Sequence, residues 1–197
     1  VPGSTGCWRG CTLDRAVSNF ESFKNHVSVL FWSLGNESYA GDILVEMNRY
    51  YKEKDPDRLV HYEGVAENRP YEDLISDMES QMYAPPEKIK EYLENNPKKP
   101  FILCEYMHDM GNSLGGMESY IRLLDQYEDY QGGFIWDYID QALFVKDEVT
   151  GRDVLRYGGD FDDRPSDYEF SGNGILFADR TEKPAMQEVR HYYGLRR

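Results

Sequence analysis

The sequence predicts an α/β fold built on a parallel sheet, and three observations lead to this prediction. Apolar runs of strand length alternate with segments of helical periodicity, which is the order that parallel strands with helical crossovers produce. Two of these runs, within 29–38 and 101–108, are apolar on both faces, as strands buried between layers are. Each of the two delivers a glutamate, Glu37 or Glu105, at its C-terminal end.

The first half of the chain supplies two helices and three strands. Apolar residues at helical spacing predict a helix over 12–24, with Thr12 as its N-cap. A second helix is predicted over 41–54, where Asp55-Pro56 ends it. Short apolar runs predict strands over 27–33, 59–62 and 78–82. His61 and Glu63 lie two residues apart, so both side chains can point into the lumen of a barrel.

The second half continues the alternation. Helices are predicted over 86–94, which has proline in its first turn, over 114–127 with Ser113 as the cap, and over 183–193. Strands are predicted over 101–106 and 133–139, and a hairpin turn over 149–152. No repeat or linker interrupts the chain, so 1–197 is predicted to form a single unit. Five strands do not close a barrel of eight, which leaves an open sheet or the C-terminal part of a larger barrel.

Composition and charge argue against a membrane or a nucleic acid as the partner of this chain. With 40% hydrophobic residues in 197, the chain is of the soluble globular class, and no run approaches the roughly 20 apolar residues of a membrane span. The net charge of −14 argues against binding to nucleic acid, whose phosphates it would repel. Three cysteines do not make a disulfide framework and fit a reducing compartment, so we predict a cytoplasmic location.

The two strand-end glutamates are candidates for catalysis. The C-terminal ends of barrel strands form the active-site face, and two carboxyl groups held there suit hydrolysis of a glycosidic bond. One carboxyl, when protonated, donates to the leaving oxygen, and the other, when ionised, attacks the anomeric carbon. Taken alone, either Glu37 or Glu105 could equally have a structural role.

Several motifs resemble the family 2 glycoside hydrolases, and in particular their large bacterial β-galactosidases. The resemblance covers nearly all of the chain and rests on WSLGNES at 32–38, ILCEYMH at 102–108, QGGFIWDYIDQ at 131–141, YGGDF at 157–161 and NGILFADR at 173–180. It implies a (β/α)8 TIM barrel of which about the last five strands are present. We therefore expect the chain to be the C-terminal portion of a catalytic domain whose first strands and flanking domains precede Val1.

The resemblance also implies a retaining mechanism on terminal β-D-galactosides. Glu37 is expected to be the general acid/base and a magnesium ligand, and Glu105 the nucleophile that forms a galactosyl-enzyme. Asn36 is expected to bind the sugar 2-hydroxyl, and Tyr83 to hydrogen-bond the nucleophile.

The same resemblance implies residues that bind the sugar and residues that bind sodium. His108 is expected to bind galactose, and Trp136 to form an aromatic platform under the sugar. The carbonyl of Phe170 and the side chain of Asn173 are expected to form part of a sodium site. Both metal sites would be incomplete in this chain.

Two alternatives stay open. The chain could belong to another family 2 activity, such as a β-glucuronidase or a β-mannosidase. It could also be a catalytically silent carbohydrate-binding or assembly fragment. The predicted strands over 27–33 and 133–139 would be exposed apolar edges, so we expect association through them, as a homo-oligomer or with other parts of a longer protein.

Overall fold

The computed structural model describes residues 2–194, and within that range helices and strands alternate. The helices are α1 (Arg9–Phe23), α2 (Asp42–Lys54), α3 (Glu72–Ile75), α4 (Pro86–Glu94), α5 (Met117–Gln126) and α6 (Met186–Gly194). The strands are β1 (Phe31–Ser33), β2 (Leu59–His61), β3 (Glu79–Met82), β4 (Phe101–Tyr106), β5 (Tyr130–Ile135), β6 (Leu143–Lys146) and β7 (Asp153–Arg156). Val1 and residues 195–197 of the predicted single unit lie outside the described residues.

The strands form three hydrogen-bonded groups. β1 and β2 pair in parallel, with Phe31 opposite Leu59 and Ser33 opposite His61. β3, β4 and β5 follow in that order in a second sheet. β6 and β7 form the antiparallel hairpin predicted around 149–152, in which Asp147 accepts the backbone N–H and the hydroxyl of Thr150.

Contacts divide the chain into two compact units, and the first carries α1, α2, β1 and β2. It comprises the described part of Val1–Met82, with Ile89–Cys104 and Asp129–Gln131. Its core lies where the two helices cover the parallel strands: Trp32 of β1 stacks on Tyr51 of α2 at 5.2 Å between ring centroids. The indole N–H of Trp32 donates to Asp55 at 3.0 Å, so the buried ring keeps a hydrogen-bond partner.

The second unit packs α5 against α6 over a smaller core. It comprises Tyr83–Lys88, Glu105–Glu128 and the described part of Gly132–Arg197. Met117, Ile175, Leu176 and Val189 form one buried apolar cluster there. Glu188 of α6 accepts the backbone N–H of Met117 at 2.8 Å, which satisfies a group that the first turn of α5 leaves unpaired.

The bounds predicted for α4 and β4 are confirmed, but two predictions at the start of the chain are wrong. α1 begins at Arg9, directly after a 3₁₀ turn over Gly6–Trp8, so Thr12 is a buried residue of the helix and not its cap. β1 starts at Phe31 because the N–H of Val29 donates to His26 in a turn, and Leu30 is 76% exposed.

Three predicted elements further along the chain also have wrong bounds. α5 starts at Met117 after Gly116, which has a positive φ of 75°, and the Ser113 hydroxyl donates instead to the carbonyl of His108. β5 covers Tyr130–Ile135 rather than 133–139, and it ends there because the next residues pair with other segments, as Ile139 does with Leu176. α6 begins at Met186 rather than at 183. Among residues 2–194, none of the helices is long and apolar enough to cross a bilayer.

Candidate active site

Glu105 and Tyr83 form the best-defined pair of the candidate site. Glu105 lies at the C-terminal end of β4 and is only 9% exposed. The Tyr83 hydroxyl donates to Oε2 of Glu105 at 2.7 Å, and the backbone N–H of Tyr83 donates to the Glu105 carbonyl at 2.9 Å. The hydroxyl contact is the one that the resemblance implied between Tyr83 and the carboxylate, and the backbone bond holds the two residues side by side.

Aromatic contacts extend this pair to His108 and Phe170. The His108 ring packs edge-on against Tyr83 at 5.7 Å and against Phe170 at 5.8 Å between centroids. His108 is half-buried, whereas Phe170 is exposed. The structure thus brings together four of the predicted residues, Tyr83, Glu105, His108 and Phe170, in one continuous set of contacts.

Trp136 follows β5, and both its backbone N–H and its backbone carbonyl form hydrogen bonds. Its N–H donates to the Tyr106 carbonyl at 3.0 Å, and its own carbonyl accepts the N–H of Asp109 at 3.0 Å. The peptide bond between Trp136 and Asp137 is cis. The indole ring is 37% exposed, so it offers a face on which the C–H groups of a sugar can stack.

Asn173 has the chemistry of a cation ligand. Its side chain is 1% exposed, and among the described residues its Oδ1 atom has no hydrogen-bond partner. A buried carbonyl oxygen without a donor is costly unless another positive group satisfies it. Asn173 therefore fits an oxygen-coordinated ion, and the neighbouring 3₁₀ turn over Tyr168–Ser171 carries Phe170.

The two residues on either side of Asn173 are held by an ion pair that the sequence analysis did not identify. Lys183 donates to Asp140 at 2.7 Å and to the Gly172 carbonyl at 3.0 Å, while the N–H of Gly174 donates to Asp140 at 2.9 Å. Lys183 is only 9% exposed. A side chain added at Gly174 would lie 2.3 Å from the backbone of Ile139 and Asp140, so only glycine fits there. The motif around 173–180 was the available signal, but it did not reveal Lys183 as the partner.

Glu37 belongs to the first unit, on a loop that follows β1. Its backbone N–H donates to Oε1 of Glu63 at 2.6 Å. Glu37, Glu63 and Glu67 line one cavity of about 500 Å³. Carboxylate oxygens are the ligands that Mg²⁺ takes, so the donor set fits the magnesium predicted at Glu37. Asn36 is exposed beside Glu37, and its carbonyl accepts the Ser38 hydroxyl at 3.3 Å.

The wall of this cavity depends on Gly64. The Tyr62 hydroxyl donates to the carbonyl of Ser38 at 2.7 Å, which ties the loop after β1 to the end of β2. A Cβ atom at Gly64 would lie 2.0 Å from that same carbonyl. The loop that carries Glu37 can approach β2 this closely only because residue 64 lacks a side chain.

A buried polar layer lies across neighbouring strands of the first unit. Nδ1 of His61 shares a hydrogen bond with the Ser33 hydroxyl at 2.9 Å, and Nε2 shares one with the Ser80 hydroxyl at 2.7 Å. Burial lowers the pKa of His61 from 6.5 to about 4, so the ring is neutral at pH 7. The sequence suggested His61 as a lumen residue, but the two serines had no signal of their own.

Seven of the described non-glycine residues have positive φ angles, and three of them follow a strand. The three are Glu37 at 47°, Tyr83 at 51° and Met107 at 54°; the others are Asn96, Asp162, Tyr168 and Arg180. This left-handed conformation is uncommon and costs roughly 1–3 kcal/mol each, so it persists where the surroundings impose it. Two of the seven, Glu37 and Tyr83, are the residues predicted to protonate the leaving group and to hold the nucleophile.

The alternating helices and parallel strands, with a carboxylate after each of two strands, are the arrangement expected for a segment of a glycoside hydrolase barrel. The chain belongs to glycosyl hydrolases family 2: the TIM barrel domain of that family matches residues 1–196. The predicted fold class and family are confirmed by this match.

Sequence relatives and solved structures agree with this assignment. The chain is 73% identical to the β-galactosidase large subunit of Latilactobacillus sakei over 98% of this chain and 31% of that protein. It is 68% identical to the β-galactosidase large subunit of Lactobacillus helveticus over 99% of this chain and 31% of that protein. It is 59% identical to a β-galactosidase of Halalkalibacterium halodurans over 98% of this chain and 19% of that protein. The chain thus spans less than a third of the length of these relatives.

Among solved structures, a β-glucuronidase of Lactobacillus rhamnosus superposes with a TM-score of 0.61 at 18% identity, covering 93% of this chain and 35% of that one. A β-galacturonidase of Eisenbergiella tayi, bound to galacturonate, gives a TM-score of 0.60 at 14% identity over 95% of this chain and 37% of that one. At these identities the superpositions establish the barrel fold alone.

Proposed function

We propose that the chain is the catalytic segment of a retaining β-galactosidase that acts on terminal β-D-galactosides. The observation that carries this proposal is the buried Glu105 carboxylate, which the Tyr83 hydroxyl orients at the end of β4. The identity of 73% to a protein named β-galactosidase large subunit supports galactose over glucuronic acid or mannose as the sugar.

The proposed reaction has two steps. Glu105 attacks the anomeric carbon while Glu37 gives its proton to the leaving oxygen, which breaks the glycosidic bond and leaves the sugar esterified to Glu105. Glu37 then takes a proton from water, and the resulting hydroxide displaces Glu105 to release β-galactose. Tyr83, through its hydrogen bond to Oε2, orients the Glu105 carboxylate for attack and stabilises its negative charge when the second step releases it.

The remaining predicted residues hold the sugar. Asn36 would hydrogen-bond the 2-hydroxyl, His108 would bind another galactose hydroxyl, and Trp136 would stack under the ring. Glu37 would ligate magnesium, and the carbonyl of Phe170 with Oδ1 of Asn173 would ligate sodium. When bound, these ions supply positive charge to the hydroxyls and the carboxyl group at the site.

We also propose a cytoplasmic location and assembly with further protein. The three cysteines are free thiols, as a reducing compartment would keep them. The relatives are named large subunits, and that name implies a second, smaller subunit. The exposed apolar residues of this chain also suit association. A second copy remains part of the proposal.

The test is hydrolysis of chromogenic glycosides by the protein with magnesium and sodium present. We expect turnover of the β-galactoside in preference to the β-glucuronide and the β-mannoside, and its loss in Glu105→Gln. Glu91→Gln, on the exposed face of α4, is the matched control and should leave turnover unchanged. Preferred hydrolysis of another glycoside would overturn the choice of sugar. Sugar binding without any turnover would instead favour a carbohydrate-binding fragment.

A further inference from the structure

We propose that His61, Glu63 and Cys104 form a binding site for a borderline-soft divalent metal ion, with zinc as the best match. One ligand atom from each residue lies within 4.8 Å of the other two. All three residues belong to the first compact unit, at the ends of β2 and within β4. This inference is independent of the proposed hydrolysis, because it concerns binding of an ion and not turnover.

The distances are close to those of a metal site. A tetrahedral zinc ion with Zn–N of about 2.0 Å and Zn–S of about 2.3 Å needs donor atoms roughly 3.3–3.8 Å apart. Donor atoms within 4.8 Å of one another therefore reach this geometry when side-chain rotations move each of them by about 1 Å. His61 and Glu63 are buried and Cys104 is half-buried, so few water molecules compete for the ion.

The donor set selects the kind of ion. One imidazole nitrogen, one carboxylate oxygen and one thiolate are ligands for zinc, cobalt or copper, whereas Mg²⁺ prefers oxygen alone. With one ring nitrogen on the metal, the other keeps its serine partner, Ser33 or Ser80, which orients the ring.

One of the three proposed ligands has a route to solvent. Glu63 lines the cavity of about 500 Å³ that also contains Glu37, so an ion can reach its carboxylate from there and keep a water ligand. Oε1 of Glu63 accepts the backbone N–H of Glu37.

The test uses Co²⁺ as a spectroscopic substitute for zinc, with the purified 197-residue chain in a reducing, chelator-free buffer. We expect one equivalent of Co²⁺ to give thiolate-to-cobalt charge-transfer absorption in the near ultraviolet, and one equivalent of Zn²⁺ to abolish it. Millimolar Mg²⁺ should leave the absorption unchanged. Absence of this absorption in the folded chain, or its loss on adding Mg²⁺, would overturn the proposal.

Variants locate the ion. Cys104→Ser should abolish the absorption, and His61→Gln should weaken Co²⁺ binding at least tenfold, as ligand and supporting changes do. The matched control replaces the two exposed cysteines together, Cys7→Ser with Cys11→Ser, and should bind Co²⁺ as the unchanged chain does. Loss of binding in this control with retention in Cys104→Ser would place the ion at the N-terminus and overturn the site.

A variant-free measurement covers the case in which Cys104→Ser does not fold. Thiols of the unchanged chain are alkylated with and without Zn²⁺, and the modified peptides are quantified by mass spectrometry. We expect Zn²⁺ to protect Cys104 but not Cys7 or Cys11. Equal protection of all three thiols, or none at Cys104, would contradict the proposal.

Discussion

At the scale of single residues, the candidate site depends on hydrogen bonds that cross from one strand end to the next. Tyr83 follows β3 and reaches Glu105 at the end of β4 through both its hydroxyl and its backbone. Tyr83 makes these contacts with a φ of 51°, in the sparsely populated left-handed region. Orientation of the nucleophile is thus a property of a neighbouring strand and not of β4 itself.

The first prediction concerns this hydroxyl. Tyr83→Phe removes the donor to Glu105 and leaves the ring in place, so kcat for a chromogenic β-galactoside should fall about 100-fold with the fold retained. Tyr92→Phe is the control, because its hydroxyl bonds the Lys99 carbonyl in a structural contact. An unchanged kcat in Tyr83→Phe would show that the hydroxyl has no part in the reaction.

A second residue-scale prediction concerns acid stability. Burial lowers the pKa of His61 from 6.5 to about 4, so between these values the unfolded chain binds a proton that the folded chain excludes. The free energy of unfolding should therefore fall as pH falls through this window. Each pKa unit corresponds to about 1.4 kcal/mol, which gives a loss of about 2 kcal/mol between pH 7 and pH 5 from this residue.

Urea unfolding at pH 7 and pH 5 measures this loss. His61→Gln, whose amide can still bond both serines, should lose about 2 kcal/mol less than the unchanged chain over the same interval. His26→Gln, at an exposed position, should lose as much as the unchanged chain. An identical loss in His61→Gln and in the unchanged chain would mean that folding does not lower the pKa of His61.

At the scale of elements, close approach of loops decides the shape of the Glu37 cavity. Gly64→Ala would place a methyl group 2.0 Å from the Ser38 carbonyl, so the loop after β1 must move. We expect a loss of about 2 kcal/mol in the free energy of unfolding, measured in urea. Gly10→Ala is the control: nothing lies within 4 Å of its Cβ position in α1, and the change should be neutral or stabilising. Equal stability of Gly64→Ala and the unchanged chain would contradict this account.

The elements also show what the sequence could predict. α4 and β4 have the predicted bounds because local signals, Pro86 at a helix start and the continuous apolar run of 101–106, coincide with their tertiary environment. β1 and β5 differ because their limits are set by pairing: Val27 is 94% exposed although it is β-branched, and Ile139 pairs with Leu176. Local propensity does not contain the identity of a distant partner.

The candidate site divides in the same way. Glu37 and Glu105 could be predicted because each stands at the end of a recognisable strand within a motif. The serines that flank His61, and the pairing of Lys183 with Asp140, could not, since each depends on segments 19 to 43 residues apart in the chain. Such pairs have no periodicity in the sequence, and only the fold brings them together.

At the scale of the whole molecule, two exposed apolar side chains lie in the segment directly before β1. Val27 and Leu30 are 94% and 76% exposed. Large apolar side chains that are exposed to water favour association. The net charge of −14 opposes it only weakly once salt screens the repulsion.

We therefore expect light scattering to show association of the chain at micromolar concentration. Replacing both residues, Val27→Lys with Leu30→Lys, should shift the population toward monomer. Asn25→Lys with Ser28→Lys adds the same charge to the same exposed segment without removing apolar surface, and should associate more than the first pair. A monomer at every concentration of the unchanged chain would count against the segment of Val27 and Leu30 as an interface.

The β6–β7 hairpin has a practical consequence for work on this protein. Its tip at Val149 is 93% exposed, and the turn is closed by its own Asp147–Thr150 bonds. Such tips accept inserted sequence better than any buried loop. A short epitope or fluorophore-labelling peptide placed after Val149 would be displayed on the surface, which gives a handle for purification, imaging or immobilisation that leaves both termini untouched.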